Sequence, residues 1–275
     1  MLFSVIIPTC HRNDLLAKCL DHLASNVQTL AAENYEVIVT DDGSQTTAEE
    51  MIKLYYPWVK WISGAHKGPA ANRNNGAKYA QGEWLVFTDD DCLPDPQWLE
   101  TYAKNIISEM NYLVLEGRTY VDRPRKSLAE TSPINESGGY LWSCNFAIQM
   151  KLFESIGGFD ERFPYAAMED VDLRLRLEKS GHKFIFIRDA SVCHPWRNKG
   201  GWKKLKQHQE STLIYLSIHP DESLNINSTS YFMLALRGMF KATIPEVLKL
   251  NLRGINEAFL EHLSCLQMVV ILRRF

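Results

Sequence analysis

The amino-acid sequence predicts an α/β fold in which helices flank a Rossmann-like, mostly parallel sheet. Apolar runs of strand type alternate with helical patterns through the first ninety residues, which is typical of parallel sheets with right-handed crossovers. Two of these runs end in acidic clusters, Asp41-Asp42 and Asp89-Asp90-Asp91. After about residue 200 the strand patterns stop, and the sequence predicts a helical C-terminal extension.

Four strands are predicted in the first ninety residues, because each run is short, apolar and rich in β-branched or aromatic residues. They cover residues 3–8, 36–40, 57–63 and 84–88. Asn13 is predicted to cap a helix that carries one apolar stripe. Pro69 is predicted to begin a helix of small residues that ends before Gly82.

The alternation of strand and helix patterns is less regular after residue 95. We predict helices over 96–109 and 169–180, strands over 113–120 and 184–187, and a polar loop over 121–139. The predicted organisation is one α/β domain over 1–200, made of the halves 1–95 and 96–200, followed by the helical extension 201–275.

The composition is that of an ordinary globular protein, with 45% hydrophobic and 23% charged residues. The net charge of −3 argues against a nucleic-acid partner, because there is no overall basic field. The six cysteines include no C-x-x-C pair, which favours free thiols in a reducing compartment. The N-terminus lacks a signal-peptide pattern, and no stretch approaches ~20 apolar residues, so we expect a cytoplasmic protein.

The triplet Asp89-Asp90-Asp91 carries the strongest chemical signal. Three adjacent carboxylates at the end of a buried strand repel one another unless a cation is bound. Divalent cations such as Mg²⁺ and Mn²⁺ take oxygen ligands and leave positions open for substrate phosphates. The alternative is a solvated acidic turn, but ligands bind at the carboxyl ends of strands in parallel sheets, which favours a cation site.

Six motifs occur along the chain in a fixed order. They are VIIPT at 5–9, VIVTDDGS at 37–44, GPAANRNNG at 68–76, WLVFTDDDCLP at 84–94, GGFD at 157–160 and EDVD at 169–172. Together they resemble glycosyltransferase family 2, of GT-A fold, over roughly residues 3–196. The resemblance implies inverting transfer of a sugar from a nucleotide-diphosphate donor, commonly a UDP-sugar, to a hydroxyl of a glycan or lipid-linked glycan. It also implies Mn²⁺ or Mg²⁺ on the donor diphosphate.

The resemblance assigns the donor side to residues 1–95. Pro8, Thr9 and Arg12 fall in the turn near the nucleotide, and Asp42 matches the position that reads the uracil ring. Arg73 matches an arginine near the diphosphate, with an ordinary surface arginine as the alternative.

The metal side also follows from the resemblance. Asp89 and Asp91 match the acidic pair of the family's D-x-D motif, with Asp91 as the direct metal ligand. Asp90 lies between them as a spacer within the nucleotide-binding set. His194 matches a third metal or diphosphate ligand of some relatives, with a structural histidine as the alternative.

The resemblance assigns the acceptor side to residues 96–200. Asp170 matches the general base that removes the proton of the acceptor hydroxyl, and Glu169 matches a residue that binds that hydroxyl or tunes Asp170. The alternative is that both only complement the dipole of the helix they begin. Trp142 and Asn145 fall where the family builds its acceptor cleft.

Four other functions are alternatives to sugar transfer. A sugar-phosphate nucleotidyltransferase would need a glycine-rich loop after the first strand, and residues 9–13 contain no glycine. A glycoside hydrolase would leave the acidic triplet unexplained, and a dehydrogenase would need the missing G-x-G-x-x-G. A sugar-nucleotide-binding protein without catalysis is a further alternative. The apolar and basic tail predicts either peripheral membrane contact or packing, including a homo-oligomer.

Overall fold

The computed structural model describes residues 1–109 and 111–274, and of Leu248 only the backbone. The chain divides into two compact units. The first comprises Met1–Asp122 and Pro133–Pro195, and the second comprises Arg123–Ser132 and Trp196–Phe275. The predicted division at residue 200, with halves 1–95 and 96–200, stays a prediction about function.

The first unit is built on an eight-stranded sheet with the order β3-β2-β1-β4-β8-β6-β9-β5. Strands β1, β2, β3 and β4 are parallel to one another, and β6 is parallel to β9. Strand β8 runs antiparallel to β4 and β6, and β5 runs antiparallel to β9. The strands are β1 Phe3–Thr9, β2 Tyr35–Asp41, β3 Lys60–Ser63, β4 Trp84–Thr88, β5 Leu93–Pro94, β6 Val114–Tyr120, β8 Asn145–Gln149 and β9 Ile185–Cys193; β7 Glu130–Thr131 and β10 Arg197–Asn198 pair separately in the second unit.

Helices cover the sheet because each presents a buried apolar face, such as Leu16, Leu20 and Leu23 of the first helix. The helices of the first unit are α1 Asn13–Leu23, α2 Glu49–Tyr55, α3 Pro69–Ala77, α4 Trp98–Ser108, α5 Met150–Ser155 and α6 Glu169–Lys179. Those of the second unit are α7 Gly201–Ile218, α8 Ser228–Arg237, α9 Ile244–Lys249 and α10 Ile255–Leu272. The mostly parallel sheet, the flanking helices and the helical C-terminal segment confirm the predicted fold class.

The order of the strands determines where the site lies. Parallel strands β1, β2 and β4 end at one edge, at Thr9, Asp41 and Thr88. Strand β8 runs the other way and begins at this edge, with Asn145 opposite Thr88. The ends of β6 and β9 reach the same edge, because β6 is also antiparallel to β8 and parallel to β9. One edge of the sheet therefore collects residues from distant parts of the sequence.

Three local predictions differ from the structure. The N-cap of α1 is Arg12, and Asn13 is the first helical residue, with its amide donating to the Thr47 carbonyl at 2.9 Å. The predicted strand 57–63 forms only over Lys60–Ser63, because Pro57 precedes a turn. The predicted loop 121–139 contains the two-residue strand β7, whose partner β10 follows far along the chain.

The second unit packs α10 against α7 and α8. The buried amide of Gln209 on α7 donates to the Ser264 carbonyl and hydroxyl of α10 at 3.1 and 2.9 Å. The sequence was expected to contain no stretch long and apolar enough to span a membrane. This expectation was wrong, judged by length and composition alone. Among the described residues, Ile255–Leu272 is an 18-residue helix with a mean hydropathy of 1.3 and 22% of it buried, which by itself is weak evidence for a span.

Candidate active site

Asp90, the middle residue of the acidic triplet, is fully buried and anchors the end of β4. Its carboxylate accepts from the Thr9 hydroxyl at 2.7 Å and from Arg12 Nε at 3.0 Å. Burial raises the pKa of Asp90 to about 7, although the charge of Arg12 opposes the shift. Asp90 is therefore not a spacer: it ties the end of β4 to the turn after β1.

Arg73 joins the acidic triplet to the Glu169-Asp170 pair. Its guanidinium, only 3% exposed, reaches Asp89 Oδ1 at 2.7 Å through Nη2 and Glu169 Oε1 at 3.1 Å through Nη1. Burial alone would lower the pKa of Arg73, but the charges of Asp89 and Glu169 outweigh burial and raise it. The surface-arginine alternative is excluded, because this cation is buried between two carboxylates.

The sequence of α3 explains how an arginine is buried here. Ala70, Ala71 and Gly76 are buried small residues that let the helix lie close to the sheet. A Cβ on Gly76 would come within 2.6 Å of the Ile6 side chain. Asn72 donates to the Thr40 carbonyl at 2.9 Å, which fixes the helix on β2. The close approach leaves the Arg73 side chain directed along the sheet edge toward the carboxylates.

The GGFD segment supports Arg73 from the other side. Phe159 is buried against Phe87, with ring centroids 5.3 Å apart, and the Arg73 guanidinium lies 5.5 Å from its ring centroid. The Asn74 side chain exchanges hydrogen bonds with the Phe159 backbone, donating at 2.8 Å and accepting at 2.9 Å. The family resemblance includes this motif but assigns it no role. The structure shows that the motif holds α3 and Arg73 in place.

Glu169 and Asp170 begin α6, after Met168 in a left-handed conformation with φ 71°. Burial and the neighbouring Asp170 charge raise the pKa of Glu169 to about 7, against the charge of Arg73. Burial also raises the pKa of Asp170, while Arg73 and the backbone N–H groups of Val171 and Ser143 lower it. The pair thus holds protons more tightly than free carboxyls do, which suits a group that must accept one.

We predict that the unliganded protein loses stability as pH rises from about 4.5 to about 7. Glu169 binds its proton more tightly in the folded chain than in the unfolded one, so its contribution is present below this window and is lost through it. The contribution is on the order of 3 kcal/mol. Chemical denaturation at several pH values in this range gives the free energy of unfolding as a function of pH. That free energy should fall less steeply with rising pH in Glu169→Gln than in the wild type, and as steeply as the wild type in Glu154→Gln, an exposed control. An unchanged pH dependence in Glu169→Gln would contradict the assignment.

Asp91 and His194 form the candidate cation site. Asp91 Oδ1 lies 3.3 Å from His194 Nε2, and the Cys92 thiol completes a group of ligand-type atoms within 4.8 Å of one another. His194 Nδ1 lies 3.1 Å from the Pro195 carbonyl, which can only accept, so Nδ1 carries the hydrogen and Nε2 faces Asp91.

Of the two cations that the resemblance implies, Mn²⁺ suits these ligand atoms better than Mg²⁺. A carboxylate oxygen suits both Mn²⁺ and Mg²⁺, but the imidazole nitrogen is a poorer match for Mg²⁺, whose ligands are oxygens. Burial raises the pKa of the Cys92 thiol well above its usual range. A soft thiol also suits Mn²⁺ and Mg²⁺ less well than the Asp91 oxygen does. Asp89, which the resemblance also assigned to the metal, lies against Arg73 instead.

Asp41, the last residue of β2, and Asp42, which follows it, each fix a different loop. Asp41 is buried and accepts from the backbone N–H groups of Gly43 at 2.8 Å and Ala48 at 2.6 Å. Asp42 is partly exposed and accepts from His66 N at 2.8 Å and Gly68 N at 3.3 Å, which fixes the loop leading into α3. The base-reading role of Asp42 stays a prediction, as does the nucleotide-binding role of Pro8, which lies buried in β1 beside Thr9.

The two residues predicted for the acceptor cleft differ in their surroundings. Trp142 is partly exposed, and its ring lies 4.6 Å from that of Tyr140. Asn145 is buried: its oxygen accepts from Trp98 and Tyr102 at 2.8 Å each, and its amide donates to two backbone carbonyls. The Asn145 side chain has no hydrogen-bonding capacity left for a ligand: it joins α4 to the sheet and does not line an acceptor cleft.

Comparison with curated proteins finds relatives among glycosyltransferases. The chain is 29% identical over 230 residues to validoxylamine A glucosyltransferase of Streptomyces hygroscopicus subsp. limoneus, covering 69% of this chain and 50% of that one. It is 33% identical over 141 residues to poly(ribitol-phosphate) beta-glucosyltransferase of Bacillus spizizenii, covering 48% and 22%. The chain thus spans about half the length of the first of these relatives.

Comparison with solved structures gives the same fold. S. aureus TarS residues 1–349, in a crystal structure in complex with UDP-GlcNAc, matches with a TM-score of 0.60 and 20% identity over 87% of this chain and 73% of that one. The arrangement of strands and helices is therefore the GT-A fold. The model of the family "Glycosyl transferase family 2" matches residues 4–194, which include every residue of the site described above. The chain belongs to glycosyl transferase family 2.

Proposed function

We propose that this chain transfers a sugar from a nucleotide-diphosphate donor, a UDP-sugar in the first instance, to an acceptor hydroxyl with inversion at the anomeric carbon. The observation that carries the proposal is the buried Arg73, which holds Asp89 of the triplet and Glu169 of the acidic pair on one cation. The residues proposed to bind the donor and the pair proposed to accept the proton are thereby held together. UDP-GlcNAc in the TarS complex and the transferase relatives support this choice of reaction.

The reaction needs a base and a stabilised leaving group. The acceptor oxygen forms a bond to the anomeric carbon, the bond from that carbon to the diphosphate oxygen breaks, and the hydroxyl proton passes to Asp170. Glu169, with its pKa raised to about 7, binds the acceptor hydroxyl and keeps Arg73 in place. In this proposal residues 96–200 bind the acceptor and residues 1–95 bind the donor.

The donor side combines cationic and acidic groups. Thr9 and Arg12 fix the triplet, and we propose that Arg12 turns to the diphosphate when the donor binds, since its side chain is 42% exposed. Asp42 accepts from the ring N–H of uracil beside Pro8. Asp91 and His194 would hold Mn²⁺, which supplies Lewis-acid stabilisation of the departing diphosphate worth several kcal/mol.

Calorimetry with UDP tests the donor site directly. We expect UDP to bind in the presence of Mn²⁺, with weaker binding in Mg²⁺ and none in chelator. Asp91→Ala should abolish the dependence on Mn²⁺, while Asp189→Ala, at an exposed aspartate of β9, should keep it. UDP that bound equally well in chelator would remove the cation from the proposal. Nucleotide release from a panel of UDP-, GDP- and dTDP-sugars then identifies the donor.

The second unit exposes many apolar side chains on α8, α10 and the segment between them. Phe240 and Phe259 are the most exposed aromatic residues of this set, at 62% and 65%. The further members are Phe232, Met233, Leu234, Met239, Ile244, Leu252, Ile255, Leu263, Leu266 and Val270. Exposed apolar residues at this density mark an interaction surface.

Charge indicates what covers this surface. Residues 228–274 contain six Lys or Arg and three Glu, whereas the whole chain has a net charge of −3. We propose that the surface rests on an anionic lipid bilayer at the cytoplasmic face of a membrane, where a lipid-linked glycan acceptor resides. Apolar faces with interspersed basic residues bind in this way, gaining about 1 kcal/mol per basic residue near the surface.

Vesicle flotation tests the lipid contact. The full chain should float with vesicles that contain phosphatidylglycerol and remain unbound with pure phosphatidylcholine. Phe240→Ser combined with Phe259→Ser should abolish flotation, whereas Ile107→Ser, an exposed apolar residue of α4, should not. A dimer in light scattering that dissociates in the double variant, without any flotation of the wild type, would show a homo-oligomer surface instead.

A further inference from the structure

Glu116, in the middle of β6, is a buried carboxylate that the reaction described above does not use. It is 1% exposed, and its two oxygens accept four hydrogen bonds. Oε1 accepts from Asn135 Nδ2 at 2.7 Å, from Tyr140 N at 2.8 Å and from Leu141 N at 2.6 Å. Oε2 accepts from Gly139 N at 2.7 Å. All four donors belong to one segment, residues 135–141.

This segment contains no helix or strand between residues 136 and 144, so its backbone N–H groups have no ladder to join. Gly138 and Gly139 have φ of 79° and 94°, and Leu141 adopts φ 50° although it is not glycine. A buried N–H without an acceptor is costly, and one carboxylate supplies the acceptor for three consecutive residues. Glu116 is therefore the residue on which the conformation of the segment depends.

The segment leads directly to the acceptor side of the site. The Tyr140 and Trp142 rings lie 4.6 Å apart with an interplanar angle of 31°, and Tyr140 is 45% exposed. The backbone N–H of Ser143, the residue after Trp142, is near enough to the Asp170 carboxylate to lower its pKa. Arg174, one turn further along α6 than Asp170, donates to the Gly139 carbonyl at 2.5 Å. The aromatic pair and the base are thus connected through a few residues of this backbone.

We propose that Glu116 is a positioning residue for the acceptor: by fixing residues 139–141, it sets Tyr140 and Trp142 as an aromatic platform for an acceptor sugar ring beside the helix that carries Asp170. The inference rests on the proposed transfer reaction. Aromatic faces suit the C–H face of a sugar while its hydroxyls stay hydrogen-bonded to polar groups. Because the segment that carries the platform is bonded to α6 through Arg174 and the Gly139 carbonyl, a shift of that segment moves the acceptor hydroxyl away from the base.

Glu116→Gln tests this role with little change in shape. The amide nitrogen cannot accept, so at least one of the four N–H donors meets another donor. The matched control is Glu136→Gln in the same segment, where the carboxylate is exposed and pairs with Arg118 at 2.7 Å. For Glu116→Gln we expect kcat/KM for the acceptor to fall roughly 100-fold, with UDP binding close to wild type and Tm lower by several degrees because one buried donor is left unpaired. Glu136→Gln should match the wild type throughout.

A second readout does not depend on turnover. Hydrogen exchange followed by mass spectrometry should be faster over residues 138–143 in Glu116→Gln than in the wild type, and unchanged in Glu136→Gln. If the wild type transfers no sugar from any donor, the proposed function fails while this exchange result still decides whether Glu116 orders the segment. Unchanged exchange, unchanged acceptor kinetics, or a loss of UDP binding equal to the loss for the acceptor would each overturn the positioning role.

Discussion

Asp170→Asn should lower sugar transfer by about 10²- to 10⁴-fold while UDP binding stays intact. The amide keeps the size of the side chain but cannot take the proton of the acceptor hydroxyl, and general-base catalysis is worth a factor of this size. Asp170 lies across Arg73 and Glu169 from the acidic triplet, so the donor side should not change. The measurement is single-turnover transfer at saturating donor together with UDP calorimetry.

Asp189→Asn is the control for this change, because Asp189 is an exposed aspartate within the β9 bulge. It should retain wild-type turnover and binding. If Asp170→Asn kept substantial turnover, another group would have to accept the proton. If it lost UDP binding as well, the role of Asp170 would be structural.

Arg73→Leu should destabilise the protein by about 3–5 kcal/mol and abolish transfer. Removing one partner of a buried ion pair leaves the other charge uncompensated, and here one arginine compensates both Asp89 and Glu169. Arg73→Lys should recover part of the stability but little of the transfer, because a lysine cannot reach two carboxylates with one planar group. Denaturant unfolding and the transfer assay measure the two effects.

Arg162→Ala is the comparison for an exposed pair. Arg162 is 64% exposed and bonds Asp160 at 2.6 Å, so its loss should cost less than about 1 kcal/mol. Combining Arg73→Leu with Glu169→Gln should restore stability relative to Arg73→Leu alone, since one of the stranded charges is removed. Equal destabilisation by Arg73→Leu and Arg162→Ala would show that the buried network contributes nothing particular.

Much of the donor half could be predicted because its elements are local. Strand β4 is a continuous apolar run followed at once by three aspartates, and α3 begins at a proline and is rich in small residues. Parallel strands bring their carboxyl ends to one edge wherever they lie in the sheet, so the strand pattern was enough to place Asp42 and Asp89 at the same edge. The six motifs, in their fixed order, likewise indicated the family.

Strand β8 could not be predicted, because its direction depends on neighbours that are distant in sequence. Residues 141–150 mix apolar and polar side chains without a clear period, and they form a strand only between β4 and β6. Its antiparallel course is what brings Ser143, just before the strand, near Asp170. For the same reason Asn145, which the motif pattern assigned to the acceptor, has all its hydrogen bonds inside the core.

The sequence by itself determined the α/β class, the residue types at the site and the family, because these depend on local pattern and on motif order. The tertiary structure alone decided which charges pair. It put Arg73 between Asp89 and Glu169, buried Asp90 against Thr9 and Arg12, and gave Glu116 to the segment before Trp142. These pairings join residues up to 96 positions apart, and a buried charge takes whichever partner the packing brings within reach.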